Sequence, residues 1–340
     1  MCAIRRIIRL PIPQASLAGR RLPRKGEGRR ESRQARRRLQ SECLSTSQRV
    51  ISLTARARGA TQWRNATGRS PPHGEARMDL ELAGRIAWVS GASRGIGFAI
   101  AEALAAEGAR LAIGARDVAG LARAAAALAS RASAPPFAQP LDLAEAESVA
   151  AWAAACRAGL GPAEVLVVCS GGPPAGRHAE LGDADWRRAA ELLLHGPRAL
   201  IETALPAMQA AGWGRILVVS SLAVRQPVDG LILSNSLRAA VQGYLRTLAN
   251  ELAPAGITVN GLAPGYTRTE RLTELAARQA TMRGVSEREI EAGWLAAIPA
   301  GRLGEPREIA AAAAFLAGEP AGYITGQLLT VDGGAVRSLL

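Results

Sequence analysis

The chain has 340 residues, 48% of them hydrophobic and 21% charged, which is enough apolar material for a sizeable core. No apolar run of about 18 residues offers a membrane span. Four cysteines without paired spacing and only three histidines exclude a disulfide framework and give no ligand cluster, so no metal is expected. The formal charge of +13 is unevenly placed: residues 1–77 hold 19 Lys and Arg against 4 Glu, and the remainder holds 23 against 25 acidic residues.

Residues 1–77 come first in the chain and are expected to be a disordered, Arg-rich tail, because they lack the large apolar residues that would offset ordering entropy. Three readings of the tail stand. It is a stretch upstream of a true start at Met78, a transit peptide beginning MCAIRRIIRLPIPQASLAGRR, or an arm for nucleic acid. The Met78 start is preferred, since no other Met interrupts residues 2–77, and nucleic acid is the least supported.

From residue 78 to 340 the sequence reads as one domain. Ile86-Ala87-Trp88-Val89 is an apolar strand, Ser90 to Gly97 reads SGASRGIG, and Phe98 to Glu107 is helix-like. A glycine turn between strand and helix is a dinucleotide cradle. Gly91 permits the turn, Gly95 and Gly97 let backbone approach a pyrophosphate, and the helix N-terminus presents free N–H groups. Strands are then expected at 85–89, 110–114, 137–139, 164–168, 215–219, 258–261 and 327–331. Helices are expected at 96–107, 118–130, 145–158, 184–211, 231–253 and 307–317. This alternation specifies an α/β fold: a single doubly wound Rossmann-type domain with a seven-stranded parallel sheet.

The G-x-x-x-G-x-G spacing resembles the short-chain dehydrogenase/reductase family. Asn260 to Thr269 (NGLAPGYTRT), Gly301 to Phe315 (GRLGEPREIAAAAAF) and Tyr323 to Gly334 (YITGQLLTVDGG) carry the same resemblance, which covers about residues 79–336 and is closest to the 3-oxoacyl-acyl-carrier-protein reductase branch. It implies a carbonyl or acyl thioester substrate, a homodimer or homotetramer in the cytoplasm, and a lid over residues 268–298 with short helices above a cleft. It also implies a cofactor site of Gly91, Ser93, Arg94, Gly95, Ile96, Gly97, Arg116, Asp142, Ser170, Gly171, Arg238, Pro264, Gly265, Thr267 and Thr269. In such a site an acid at the tip of the second strand selects NAD(H). Ala115 stands there instead, followed by Arg116, with Arg94 in the glycine turn, so NADP(H) is expected over NAD(H). Asp142 matches an adenine contact. Val168 and Cys169 replace two amides of the family's turn before Ser170-Gly171.

The catalytic positions depart from the family pattern. Ser221 is the expected carbonyl-polarising serine, but 13 residues on stands Ser234, and four further Arg238, where the resemblance implies Tyr and Lys. No shift in alignment repairs this, because Lys25 is the chain's only lysine and Tyr244 lies ten residues beyond Ser234. The position of the family's water-holding Asn maps to Leu194. Ser234 is a poor acid and Arg238 stays protonated, so it can hold a ribose but not relay a proton. Tyr266, His178 and His195 are the candidate surrogate acids. The sequence therefore reads as an NADP(H)-dependent oxidoreductase of atypical or slow chemistry, its catalytic set being Ser221, Ser234, Arg238 and Tyr266. The rival reading is a catalytically impaired NADP-binding sensor or assembly subunit.

Overall fold

A computed structural model describes residues 78–132 and 134–339; the readings of residues 1–77 lie outside the described residues. The chain runs β1 (Ile86–Ser90), α1 (Gly95–Ala106), β2 (Arg110–Ala115), α2 (Val118–Ala129), β3 (Phe137–Pro140), α3 (Ala146–Gly159) and β4 (Val165–Cys169). It continues through α4 (Asp183–Ala190), α5 (Gly196–Ala211), β5 (Gly214–Val219), α6 (Ile232–Leu252) and β6 (Ile257–Pro264). The last part is α7 (Glu270–Arg283), α8 (Glu287–Ala297), α9 (Pro306–Ala317) and β7 (Leu328–Val331).

The seven strands form one sheet of order β3-β2-β1-β4-β5-β6-β7, and each adjacent pair is parallel. Parallel strands need crossovers, and the helices that supply them cover both faces. The side-chain period of two divides each strand between two cores. In β1, Ala87 and Val89 face the layer of α1, α2 and α9, whereas Trp88 faces α3, α5 and α6, where its ring meets Trp152 edge-on at 5.5 Å. Both tryptophans are buried.

The expected strands and helices are all present, with one correction. The helix expected over 184–211 is interrupted by a π turn at Glu191–His195 between α4 and α5. Pro197 explains the slip: it has no N–H to return to the carbonyl four residues back, so the ladder widens there. The strand expected at 258–261 is longer, because Leu262, Ala263 and Pro264 stay buried to the end of β6. Residues 268–298 form the two short helices α7 and α8, capped by Thr269 and Ser286.

Candidate active site

Because the chain winds outward from β1 to β3 and then returns to place β4 beside β1, a crevice opens at the carboxyl ends of the strands. There lies a cleft of about 1350 Å³, walled by the glycine turn, the β2, β4 and β5 ends, α6, and residues 264–275.

Gly91 adopts the left-handed conformation, φ +64°, and a Cβ there would overlap the Cys169 carbonyl oxygen. At Gly97 a Cβ would overlap the Gly91 carbonyl oxygen. Thus Gly97 serves the closure of the turn on itself, not only the approach of a phosphate. Helix α1 begins without a side-chain cap and without an acidic residue in its first turn, which leaves its leading N–H groups directed at the cleft for an anion. Ser93, Gly95 and Ile96 line the same wall.

Ser90 was not singled out by sequence, although it directly precedes the turn. Fully buried, its Oγ accepts from the Cys169 N–H at 2.9 Å and donates to the Cys169 carbonyl at 3.3 Å. It thereby ties the ends of β1 and β4 where the two family amides are missing. The Cys169 thiol is pushed up by burial and stays a neutral wall residue.

Arg238 is 8% exposed and sits on the cleft floor. Its Nε donates to Ser234 Oγ at 3.2 Å, Nη1 to the Val219 carbonyl at 3.0 Å, and Nη2 to the Gly171 carbonyl. The guanidinium staples the β5 end to the β4 loop. Two of its five N–H groups remain for a ligand. Burial, reinforced by the like charge of Arg271, pulls its pKa down to about 10, so it remains a cation at neutral pH.

Ser234, 7% exposed, lines the cleft with Ser221. Ser234 Oγ accepts from Arg238, and Ser221 Oγ accepts from the Ala223 N–H at 3.1 Å. Each hydroxyl thus has its oxygen engaged and its O–H available to donate. Ser220 Oγ, beside them, is buried without a hydrogen-bond partner.

Several of the expected residues also have partners within the fold. Arg94 pairs with Glu270 at the start of α7, so its charge is tied to the lid. Arg116 is exposed at the cleft edge and makes no ion pair among the described residues. Asp142 is held by Arg188 at 2.8 Å and by the Ala144 N–H at 2.9 Å, so its carboxylate orders the β3–α3 loop. Thr269 caps α7, and Thr267 Oγ1 donates to the Gly265 carbonyl at 3.1 Å. Ser170, Gly171, Pro264 and Gly265 line the cleft as expected residues of its wall.

Tyr266 stacks on Trp294 of α8 with ring centroids 5.0 Å apart, and burial raises its phenol above its usual value. It is a lid-packing side chain and a weakened acid. His178 and His195 are exposed and outside the cleft wall, which removes both as surrogates. Leu192, not Leu194, is the π-turn residue that reaches the cleft. Among the described residues no group of three His, Cys, Asp or Glu side chains gathers to hold a metal.

A family profile described as enoyl-(acyl carrier protein) reductase matches residues 91–336. A galactitol 2-dehydrogenase (L-tagatose-forming) of Cereibacter sphaeroides is 38% identical over 261 residues, 76% of this chain and 97% of that protein. The chain belongs to the short-chain dehydrogenase/reductase family. The 3-oxoacyl-acyl-carrier-protein reductase of Escherichia coli strain K12 is 35% identical over 75% of this chain and 98% of its own length. Among solved structures, an NADPH-bound short-chain oxidoreductase of Pseudomonas aeruginosa PAO1, described as containing an atypical catalytic centre, aligns with a TM-score of 0.68. It shares 33% identity and is matched over 77% of this chain and 100% of its own. This short-chain dehydrogenase/reductase is an oxidoreductase acting between CH–OH and C=O with a nicotinamide dinucleotide. The uncapped N-terminus of α1 and the glycine turn closed against Cys169 fit the dinucleotide's pyrophosphate.

Proposed function

We propose that the protein reduces a carbonyl with NADPH, in the manner of 3-oxoacyl-carrier-protein reductases, and that Ser221 and Ser234 polarise the carbonyl oxygen. The observation that carries this reading is the pair of hydroxyls in one cleft, each with its oxygen satisfied by an N–H and its own O–H free to donate. Two such donors act as an oxyanion hole, stabilising the charge that develops on the carbonyl oxygen. When bound, the nicotinamide supplies the hydride. Arg238 orients Ser234 and fixes the two loops that frame the reacting centre. Among the described residues that line the cleft, Ser221 and Ser234 are weak acids and burial raises the Tyr266 phenol, so water completes the reaction and turnover is slow.

Preference for NADP(H) rests on Arg116, a guanidinium at the β2 end that lacks an ion pair among the described residues and can fork onto a 2′-phosphate. Titration of NADPH and NADH tests it. Arg116→Asp is expected to weaken NADPH by about 1.5–3 kcal/mol, the worth of one charge-assisted contact, and to leave NADH less affected. Unchanged NADPH affinity would remove Arg116 from the site. Cytoplasmic location and assembly as a homodimer or homotetramer belong to the same proposal and rest on family resemblance. Among the described residues no helix is long and apolar enough to cross a membrane.

Arg238 favours one rival. A buried cation engaged with backbone carbonyls suits a structural post as well as a ribose ligand, which is what a cofactor-sensing or assembly subunit would retain.

A further inference from the structure

The two serines stand at the ends of one short connection. Ser221 follows β5 and Ser234 lies in the first turn of α6, so residues 222–231 join one hydroxyl to the other. The near end of this connection is a tight turn. Ser221 caps it by accepting from the Ala223 N–H at 3.1 Å, and the Leu222 carbonyl accepts from the Arg225 N–H at 2.9 Å and the Gln226 N–H at 3.1 Å. Pro227, whose ring fixes φ, carries that turn stiffly into Val228.

The far end is fastened by a side chain that has had no part in the site so far. Asn235, the residue after Ser234, takes both backbone groups of Val228: its Oδ1 accepts from the Val228 N–H at 3.3 Å and its Nδ2 donates to the Val228 carbonyl at 3.0 Å. The remaining ties of this stretch run between backbone groups, from the Leu231 N–H to the Val228 carbonyl at 3.2 Å and from the Gly176 N–H to the Gly230 carbonyl at 2.7 Å. Val228 and Leu231 line the cleft beside the serines, and Val228 is half-buried, so its N–H released from Asn235 would be costly to leave unpaired. The loop would move to satisfy it, and the Ser221 turn is four residues of stiff chain away.

We propose that Asn235 is a positioning residue for the serine pair. By clamping Val228 to α6 it holds the turn that engages the Ser221 oxygen, and so keeps the Ser221 O–H in place beside that of Ser234. Asn235 acts through Ser221, without touching substrate or cofactor. This rests on the carbonyl-reductase reading and deepens it, since two donors stabilise one developing charge only when their spacing is fixed in advance.

The test uses the full chain with NADPH and the ketone that the wild type oxidises NADPH with fastest. Asn235→Leu and Asn235→Ala both remove the clamp, and their different volumes separate the lost hydrogen bonds from the bulk of the new side chain. Each is expected to lower kcat about tenfold while KM and NADPH affinity stay within about twofold, because the loss falls on the transition state. A double-mutant cycle with Ser221→Ala, run as single turnovers with enzyme in excess, gives the decisive comparison. In the Ser221→Ala background Asn235→Leu is expected to cost nothing further, whereas a general weakening of the fold would cost the same factor in both. Hydrogen exchange of residues 222–231, followed by mass spectrometry, is expected to be faster in both Asn235 variants. Unchanged exchange there, an unchanged kcat, or an equal loss in the two backgrounds would each overturn the role of Asn235 and leave the reductase reading standing. No oxidation with any ketone by the wild type would overturn both.

Discussion

At the scale of single residues, the site turns on Ser234 and Arg238. Their positions were legible from spacing after Ser221, since helix register fixes which residues return to one face. What Arg238 touches was not legible. Its partners are the Val219 and Gly171 carbonyls, set by where two loops end, and no pattern in the chain announces them. The same holds for Arg94, whose partner Glu270 lies 176 residues away, and for Asp142, drawn to Arg188. A pH profile follows from the chemistry of the pair. Serine does not ionise in the working range, and Arg238 loses its proton only near 10. Its folded value lies below the ordinary guanidinium range, so the buried cation costs stability at neutral pH, a cost relieved only as pH rises past about 10. Reductase kcat/KM is therefore expected to stay flat between about pH 6 and about pH 9, where a tuned proton donor would produce a limb. An ionisation within that window would show that another side chain gives the proton.

At the scale of elements, the sequence carried the seven strands and the glycine turn because buried parallel strands read as continuous apolar runs. It did not carry the π turn at Glu191–His195, where an Ala- and Leu-rich stretch has uniform helix propensity and the break comes from the missing donor of Pro197. Within the turn it is Leu192, and not Leu194, that lines the cleft. The glycine turn makes a sharper prediction. Gly97→Ala drives a methyl group into the Gly91 carbonyl oxygen, and the turn must open to admit it. Thermal melting is expected to show a loss of about 1–3 kcal/mol, the usual cost of overpacking, with weaker NADPH binding in titration. A variant that melts and binds like the wild type would mean that the turn does not close as described.

At the scale of the whole molecule, a nearly neutral domain gathers its chemistry at the crevice between the outward-wound half, β1 to β3, and the half that returns through β4. The lid is held to both halves of the cleft rim, through Arg94–Glu270 at the glycine turn and Arg271 Nη2 to the Pro173 carbonyl at 2.7 Å. Such ties place the two serines and the cofactor wall in one framework. The central claim is that the serine pair polarises a carbonyl but leaves proton transfer unassisted. Nicotinamide absorbance tests it with NADPH and a panel of ketones and oxoacyl thioesters, comparing the wild type with Ser234→Tyr/Arg238→Lys. Slow turnover by the wild type is predicted, with a rise of roughly 10²–10⁴-fold in the double variant, the usual worth of a general acid, and loss of that gain on adding Ser221→Ala. Tight NADPH binding with no oxidation by either protein across the panel would contradict the account and assign the chain to the sensing or assembly role.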